Sequence, residues 1–481
     1  MLLAADPDLM AARQQMALSL GWHIVVACLG IGFPVLVLIA ERRGIRTGDV
    51  AYQDLARRWA KSLSVLFAVG AVSGTILSFE LGILWPGLMG RFGDVIGLPF
   101  AIEGIAFFIE AIFIGIYLYG WDRLSPRAHW WTGVPIAVAG VASAFFVVAA
   151  NAWMNRPEGF RLGPDGRPVD VDPWAAMFNR ALAPQATHMI VAALMVSGFL
   201  VASVYGFALL RGRRTRLNQL GFAIPFAVGA VFAPVQVVVG DWAARSVYER
   251  QPAKLAALEG LNQTQAGAPL NIGGLYIGGE LRGGIDVPRG LSLLAHHDPS
   301  AVVHGLDEVP PADRPPVPIV RVAFQVMVGV GTLLLGLSVW LGLAWWRRRA
   351  PPRSRWFLRA AVVAGPLAVV ALESGWIVTE VGRQPWIVYQ VLRTKDAVST
   401  ASGLRYGYYA LVPVYAALTV ATIWVLRLLG RTPVPATLAA PVGENSQGVP
   451  VGTGRPSEPA GTSEPAGPSE PAGPSNPAGA R

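Results

Sequence analysis

Residues 186–216 read ATHMIVAALMVSGFLVASVYGFALLRGRRTR. From Met189 to Leu210 there is no Asp, Glu, Lys, Arg or His, and then Arg211, Arg213, Arg214 and Arg216 follow at once. A helix over such a run crosses a hydrocarbon core of ~30 Å. An apolar run closed by a basic block is also the pattern of a span whose basic end stays in the cytoplasm. Moving outward, comparable windows lie at 17–40, 62–84, 98–120, 131–152, 219–240, 318–346, 357–378 and 406–429, which makes nine in all. The predicted fold class is therefore an all-α polytopic membrane protein with nine transmembrane helices.

Composition agrees. The chain has 481 residues, 53% hydrophobic and only 14% charged, with a mean hydropathy of +0.46. Soluble domains carry about 25% charged residues, so a soluble enzyme is excluded, as is disorder over most of the length. The single cysteine, Cys28, excludes a disulfide framework and any zinc or iron–sulfur cluster held by this chain alone. A net charge of +9 would raise nucleic acid as a partner in a soluble protein. Here the basic residues sit in short blocks between apolar runs, so a lipid bilayer is the expected partner and nucleic acid is not.

The blocks also orient the chain. Arg42, Arg43, Arg46, Arg57, Arg58 and Lys61 follow the first span, Arg123 and Arg127 the third, and Arg347, Arg348, Arg349, Arg353 and Arg355 the seventh. With the block after the fifth, every dense basic loop follows an odd-numbered span. Those loops are predicted cytoplasmic, the N-terminus outside and the C-terminus inside. The first span is too long and too late for a cleaved signal peptide, and no small-residue cleavage site follows it. The organisation read from this is spans one to six in 1–240, a Gly- and Pro-rich extracytoplasmic loop in 241–317, and spans seven to nine in 318–430. A Pro/Ser/Gly-rich cytoplasmic tail occupies 431–481, with PSEPAG repeats at 456–461 and 468–473; it is predicted disordered.

Ionisable residues inside spans are costly, and each is a functional candidate. His23 lies early in the first span and His188 just inside the fifth. Glu103 and Glu110 lie in the third, and Glu373 and Glu380 in the eighth, followed by Arg383. Met327 comes early in the seventh, two residues after Gln325. In each carboxylate pair the seven-residue spacing is about two helical turns and one face. With the predicted orientation, His23, Glu103, His188, Met327 and Glu380 all fall near the outer ends of their spans. Imidazole, thioether and carboxylate are haem-iron ligands, and His/Met pairing occurs in low-spin cytochromes. Taken singly, an interfacial His is more often solvated and an apolar-span Met more often a gap filler. Their shared depth favours the ligand reading, while Cys28, mid-span, reads as packing.

The run Gly375–Trp376, Glu380, Gly382-Arg383-Gln384-Pro385-Trp386 and Leu392-Arg393-Thr394 resembles the hallmark of subunit I of cytochrome bd-type quinol oxidases. Other pieces follow in that family's order along the whole chain apart from the tail. They are Arg13-Gln14 through Trp22-His23, Ala101-Ile102-Glu103-Gly104 through Glu110, Gly120-Trp121-Asp122-Arg123-Leu124, Thr187-His188, Lys254-Leu255-Ala256-Ala257-Leu258-Glu259 and Met327-Val328-Gly329.

The resemblance implies an electrogenic quinol:O2 oxidoreductase of the bacterial cytoplasmic membrane that makes proton motive force without pumping. His188 and Met327 would ligate haem b558. His23 and Glu380 would each ligate one of two further haems, b595 and haem d, with a third haem b as the alternative to d. Arg383 and Trp386 would stand beside these groups, and Lys254 and Glu259 would hold ubiquinol or menaquinol. Read from the residues alone, Lys254 and Glu259 are solvated loop charges. Glu103 and Glu110 would lie near the two haems as a proton route or as charge compensation, Glu110 lying roughly 18 Å of helix into its span. Gln325 stands where many relatives carry Arg, which would lower the b558 potential by removing a charge that offsets propionate. A loop of about 75 residues resembles the short quinol-loop branch, some of whose members are cyanide-insensitive. Subunit II, and a small single-span subunit in some relatives, would be partners. Two other classes fit parts of the sequence. A proton-coupled transporter would explain the membrane carboxylates, and a di-haem b-type cytochrome would explain His188 and Met327 but leave Glu103 and Glu380 idle.

Overall fold

The computed structural model describes residues 7–349, 352 and 354–431; residues 432–481, with the PSEPAG repeats, lie outside the described residues. Among the described residues nine helices are long and apolar enough to cross a membrane. They are α1 (Pro7–Thr47), α2 (Val50–Leu84), α3 (Pro86–Gly120), α4 (Pro126–Asn155), α5 (Leu182–Leu210), α6 (Arg216–Arg250), then, after the short α7 (Pro252–Glu259), α8 (Val317–Arg348), α9 (Arg355–Val381) and α10 (Leu404–Gly430).

Several helices outrun their apolar windows. α6 continues about ten residues past the predicted span end at 240, because the i,i+4 pair Asp241–Arg245 (2.6 Å) and other polar side chains favour helix once the chain has left lipid. The connection between the sixth and seventh spans is therefore residues 251–316 rather than 241–317. The helices that begin at a basic loop are capped by side chains. Asp49, Ser125, Thr215 and Ser354 accept from the first-turn amides of α2, α4, α6 and α9. Each such cap is worth about 1 kcal/mol and lets a short loop turn the chain back without stranding amide donors. Helices α3, α5, α8 and α10, which start at the other end, lack a side-chain cap.

α5 is the hub, and small residues make it so. A Cβ on Gly198 would stand 2.5 Å from the Gly229 amide of α6, one on Gly32 of α1 would meet Ser197, and one on Gly365 of α9 would meet Ser203. Close backbone approach through small residues is how helices associate where lipid removes the hydrophobic driving force. One core, with Cys28, Phe199, Phe226, Leu334 and Phe357, joins α1, α5, α6, α8 and α9; Cys28 is packing, as read. A second core joins α1 to α2, α3 and α4 around Trp59 and Tyr117. A third, with Trp85, Phe92, Trp153 and Val388, closes the end opposite the basic loops.

At that end two non-helical pieces fold over the bundle. Strands β1 (Leu270–Ile272) and β4 (Ile285–Val287) pair antiparallel around β2 (Leu275–Ile277) and β3 (Glu280–Arg282). The two-residue tip Gly278–Gly279 has φ of +64° and +87°, the left-handed pair that a tight hairpin turn requires. After α9 the chain reverses through Gly382–Pro385 into β5 (Trp386–Val388) and β6 (Leu392–Arg393), which pair antiparallel.

Candidate functional site

His23 of α1 is oriented from α2. Its Nδ1 lies 2.7 Å from Ser73 Oγ, while the Ser73 hydroxyl donates to the Val69 and Gly70 carbonyls at 3.1 and 3.0 Å. With the hydroxyl proton on a backbone carbonyl, the serine oxygen accepts from Nδ1–H and Nε2 keeps its lone pair. Nε2 faces Gly74, where a Cβ would stand 3.8 Å away. An imidazole fixed through one nitrogen with the other bare beside a glycine suits iron. Glu373 of α9 reaches the same stretch of α1. Its Oε2 would lie 3.3 Å from a Cβ on Gly21, and its Oε1 is buried without a hydrogen-bond partner.

His188 of α5 has Nε2 3.0 Å from the Gln236 side-chain amide of α6, and His188 Nδ1 and Gln236 Oε1 are both buried with no hydrogen-bond partner; turning the amide end for end lets Oε1 accept from Nε2–H and leaves the Nδ1 lone pair for iron. Gly240, one turn beyond Gln236, leaves space at that nitrogen, since a Cβ there would be 3.9 Å from it. Met327 of α8 lies against Gly375 of α9, where a Cβ would come within 3.0 Å of the sulfur. Helices α5, α6, α8 and α9 share one core. An unpartnered imidazole nitrogen and a thioether in one bundle fit the axial pair of a low-spin haem.

A hydrogen-bonded chain crosses the end opposite the basic loops. Lys254 Nζ on α7 donates to Asn155 Oδ1 (3.1 Å) and to the Thr379 carbonyl (3.3 Å); Asn155 donates to Asn151 Oδ1 (3.1 Å). Asn151 donates to Glu380 Oε1 (2.5 Å), and Arg383 Nη2 to Glu380 Oε2 (2.6 Å). A carboxylate has about four lone-pair positions, so Glu380 keeps capacity for a metal. Arg383 is buried with Nε and Nη1 unpartnered, which fits an anionic group such as a propionate. Burial pushes the Lys254 ammonium down to about 7; Arg383 pushes the same way and Glu380 opposes. Lys254, Arg383 and Trp386 line a cleft of about 230 Å³ that is also lined by His304, Glu308 and Asp313 of the connection before α8. The Arg393 guanidinium sits 4.6 Å over the Trp386 ring.

The solvated reading of Lys254 and Glu259 is overturned, since they are 4% and 7% exposed. The two side chains face different partners. Five residues apart on a helix is about 140° around it, and Glu259 turns toward α8, where Arg321 Nη1 lies 3.4 Å from its Oε2. Burial pushes the Glu259 carboxyl up to about 7, against the pull of Arg321. Gln325 binds the loop: its Oε1 accepts from the Gly273 amide at 3.0 Å.

Glu103 accepts from Ser143 Oγ of α4 at 2.9 Å. Glu110 is buried beside Gly140 of α4, whose Cβ would stand 3.7 Å from Oε1. Two further turns on, Tyr117 donates to Glu41 Oε2 (2.6 Å), and His129 Nδ1 lies 2.6 Å from Glu41 Oε1. Glu80, which accepts from Ser19 at 2.9 Å, and Arg321 were legible in principle, because both are ionisable and within or at the edge of a span. Ser73, Gln236, Asn151 and Asn155 are neutral, and only their partners reveal them.

Fold and site together define a class: a multi-span membrane protein holding ligand-type side chains in one bundle and a buried charge cluster under the loop between the sixth and seventh spans. Residues 11–433 match the family model described as cytochrome bd terminal oxidase subunit I, and the chain belongs to that family. It is 37% identical, over 87% of its length and 96% of the relative's, to a Bacillus subtilis (strain 168) protein provisionally named cytochrome bd menaquinol oxidase subunit I. It is 27% identical to the cytochrome bd-II ubiquinol oxidase subunit 1 of Escherichia coli (strain K12), covering 87% of this chain and 96% of the relative. The solved bd oxidase from Geobacillus thermodenitrificans superposes with a TM-score of 0.82 at 36% identity, covering 88% of this chain and 98% of that one. Membership brings haem as the resident cofactor, and the bare or unpartnered donors at His23, His188 and Arg383 fit it.

Proposed function

We propose that this chain is the haem-carrying subunit of a quinol:O2 oxidoreductase. It oxidises quinol at the outer face and reduces O2 to water with cytoplasmic protons, so that charge separates without pumping. The observation that carries the reading is the continuous chain Lys254–Asn155–Asn151–Glu380–Arg383, which links the outer loop to the layer of haem-ligand candidates. The membrane helices form the haem-holding part, and the quinol-binding loop, of the short branch, is the 251–316 connection within the 241–317 segment read from the sequence. The N-terminus is outside, on the positive-inside argument.

His188 and Met327 hold haem b558, and His23 and Glu380 each hold one of the other two, b595 and either haem d or a third haem b. When bound, these groups supply one-electron transfer from quinol and the binding and reduction of O2. The protein's own work is positioning and proton handling. Ser73 fixes the His23 tautomer, and Arg383 meets propionate charge. Glu259 accepts a quinol proton, and Lys254 orients the head group. Glu110 and Glu103, about 10 Å apart along α3, pass protons outward from the cytoplasmic side, with Ser143 holding Glu103. Subunit II, and a small single-span subunit, cover part of the apolar surface of the bundle, where only 17%, 22% and 6% of the α2, α3 and α10 spans are buried.

Reduced-minus-oxidised spectra and quinol-driven oxygen uptake, measured on the chain expressed with subunit II, test the reading. A b-type α-band with a far-red chlorin band and quinol-dependent uptake is the expected result. A b-type band with uptake but no chlorin selects the third haem b. Haem without quinol-driven uptake would reduce the protein to a plain b-type cytochrome, and absence of haem would return the transporter.

A further inference from the structure

Arg321 is 0% exposed, four residues into α8, and every guanidinium nitrogen is used. Nε donates to the Gly274 carbonyl (3.2 Å), and Nη1 to the Leu258 carbonyl (3.0 Å) and Glu259 Oε2 (3.4 Å). Nη2 donates to the Asn271 carbonyl (2.7 Å) and its Oδ1 (2.9 Å). These acceptors come from the end of α7, from β1 and from the glycine corner after β1. One side chain therefore pins the whole underside of the loop to a membrane helix. Pinning alone needs only neutral side chains: Gln325, one turn further along α8, already accepts from the Gly273 amide. What a guanidinium adds is a permanent positive charge in a dry pocket, costly to bury unless it is paired with an anion. The only anionic side chain it touches among the described residues is Glu259. Asp286 of β4 faces it at longer range and holds Asn271 Nδ2 at 2.7 Å.

We propose that Arg321 is a positioning residue of the quinol-oxidation site, holding Glu259 ionised so that it accepts a proton from quinol. This rests on the reading of the outer loop as the quinol-oxidising segment. Quinol oxidation releases two electrons and two protons. The Glu259 carboxylate takes one proton, becomes neutral and hands it to the outer solvent; the other proton leaves directly, and the two electrons go to the bound haem and on to O2. Lys254, on the same helix, faces Glu380 and Arg383 on the other side, so Arg321 is the cation that sets the state of Glu259.

Removing an adjacent cation raises a carboxyl pKa by about 1–3 units. The form that accepts a proton is then lost at neutral pH and recovered only at higher pH. In the assembled oxidase, Arg321→Gln should lower quinol-driven oxygen uptake at pH 7 by about tenfold or more, with the rising limb of the pH profile moved to higher pH. Arg321→Lys should keep most of both. Oxygen uptake driven by an artificial one-electron donor that reduces haem directly should stay at the wild-type rate, and Arg321→Gln in a Glu259→Gln background should cost nothing further. An unmoved pH profile, or equal losses with quinol and with the direct donor, would overturn the proposal. If Arg321→Gln fails to assemble haem, Arg321→Lys decides, since its smaller shift must also vanish in the Glu259→Gln background. A wild-type enzyme with no quinol-driven uptake at all would instead fail the reading of the loop, a result distinct from an unmoved profile.

Discussion

Ser73 Oγ lies 2.7 Å from His23 Nδ1, with its own proton committed to backbone carbonyls of α2. The contact sets both the tautomer of the imidazole and the direction of Nε2. Partners that orient a metal-ligating histidine are typically worth 10–100-fold in affinity or activity when removed. Ser73→Ala should therefore leave the b558 band intact, lower occupancy or shift the spectrum of the haem at His23, and reduce turnover about tenfold. Pyridine haemochrome quantitation against the reduced spectrum checks this, and full occupancy with wild-type turnover would remove Ser73 from the site.

The Met327 sulfur is held against a glycine. A methyl group on Gly375 would approach it to 3.0 Å, and because the sulfur is at the end of a flexible chain the methionine, rather than the helices, gives way. Gly375→Ala should weaken thioether ligation while the fold persists. The expected signature is a smaller low-spin α-band and a lower midpoint potential for the His188-held haem, since methionine ligation raises potential. A redox titration showing unchanged band and potential would place the iron ligand elsewhere.

Lys254 has its charge buried and both of its acceptors in the layer beneath the loop. Lys254→Met preserves length and apolar stem but removes the donors. Quinol-driven uptake should fall at least tenfold (a loss of about 1.4 kcal/mol in transition-state stabilisation), whereas uptake from a donor that bypasses quinol should not. Equal losses in the two assays would make Lys254 part of the haem pocket instead.

What the sequence made legible follows from what a bilayer penalises. Apolar length and basic blocks give the spans, because lipid permits only helices there. His23, Glu103, Glu110, His188 and Glu380 were visible because an ionisable side chain at that depth demands an explanation. The pairing of Lys254 with Asn155 and of Glu259 with Arg321 was not visible. Outside the hydrocarbon, charges are ordinary, and only the folded loop takes these two out of water on opposite faces of a single short helix. The length of α6 was misread for the same reason: apolar windows report where lipid ends, and hydrogen bonding decides where the helix does. Gln325 shows a further limit. Its position before Met327 was legible; the bond its Oε1 accepts from the Gly273 amide was not.

Glu110 is the inner member of the carboxylate pair on α3, buried against the glycine seam of α4, while Glu103 is half-buried and already bound by Ser143. If protons for water formation rise along this face, the two differ in how they can be replaced. Glu110→Ala removes the proposed relay group itself and should slow oxygen reduction by about 10²-fold, within the range of a lost proton-transfer group, with the b558 spectrum unchanged. Ser143→Ala removes only the hydrogen bond to Glu103 and should cost a few-fold at most, since a single such bond contributes about 1 kcal/mol. A solvent deuterium isotope effect that increases in Glu110→Ala would identify proton delivery as the slowed step. Loss of b558 with oxygen turnover intact would sink the relay and return Glu110 to a packing role.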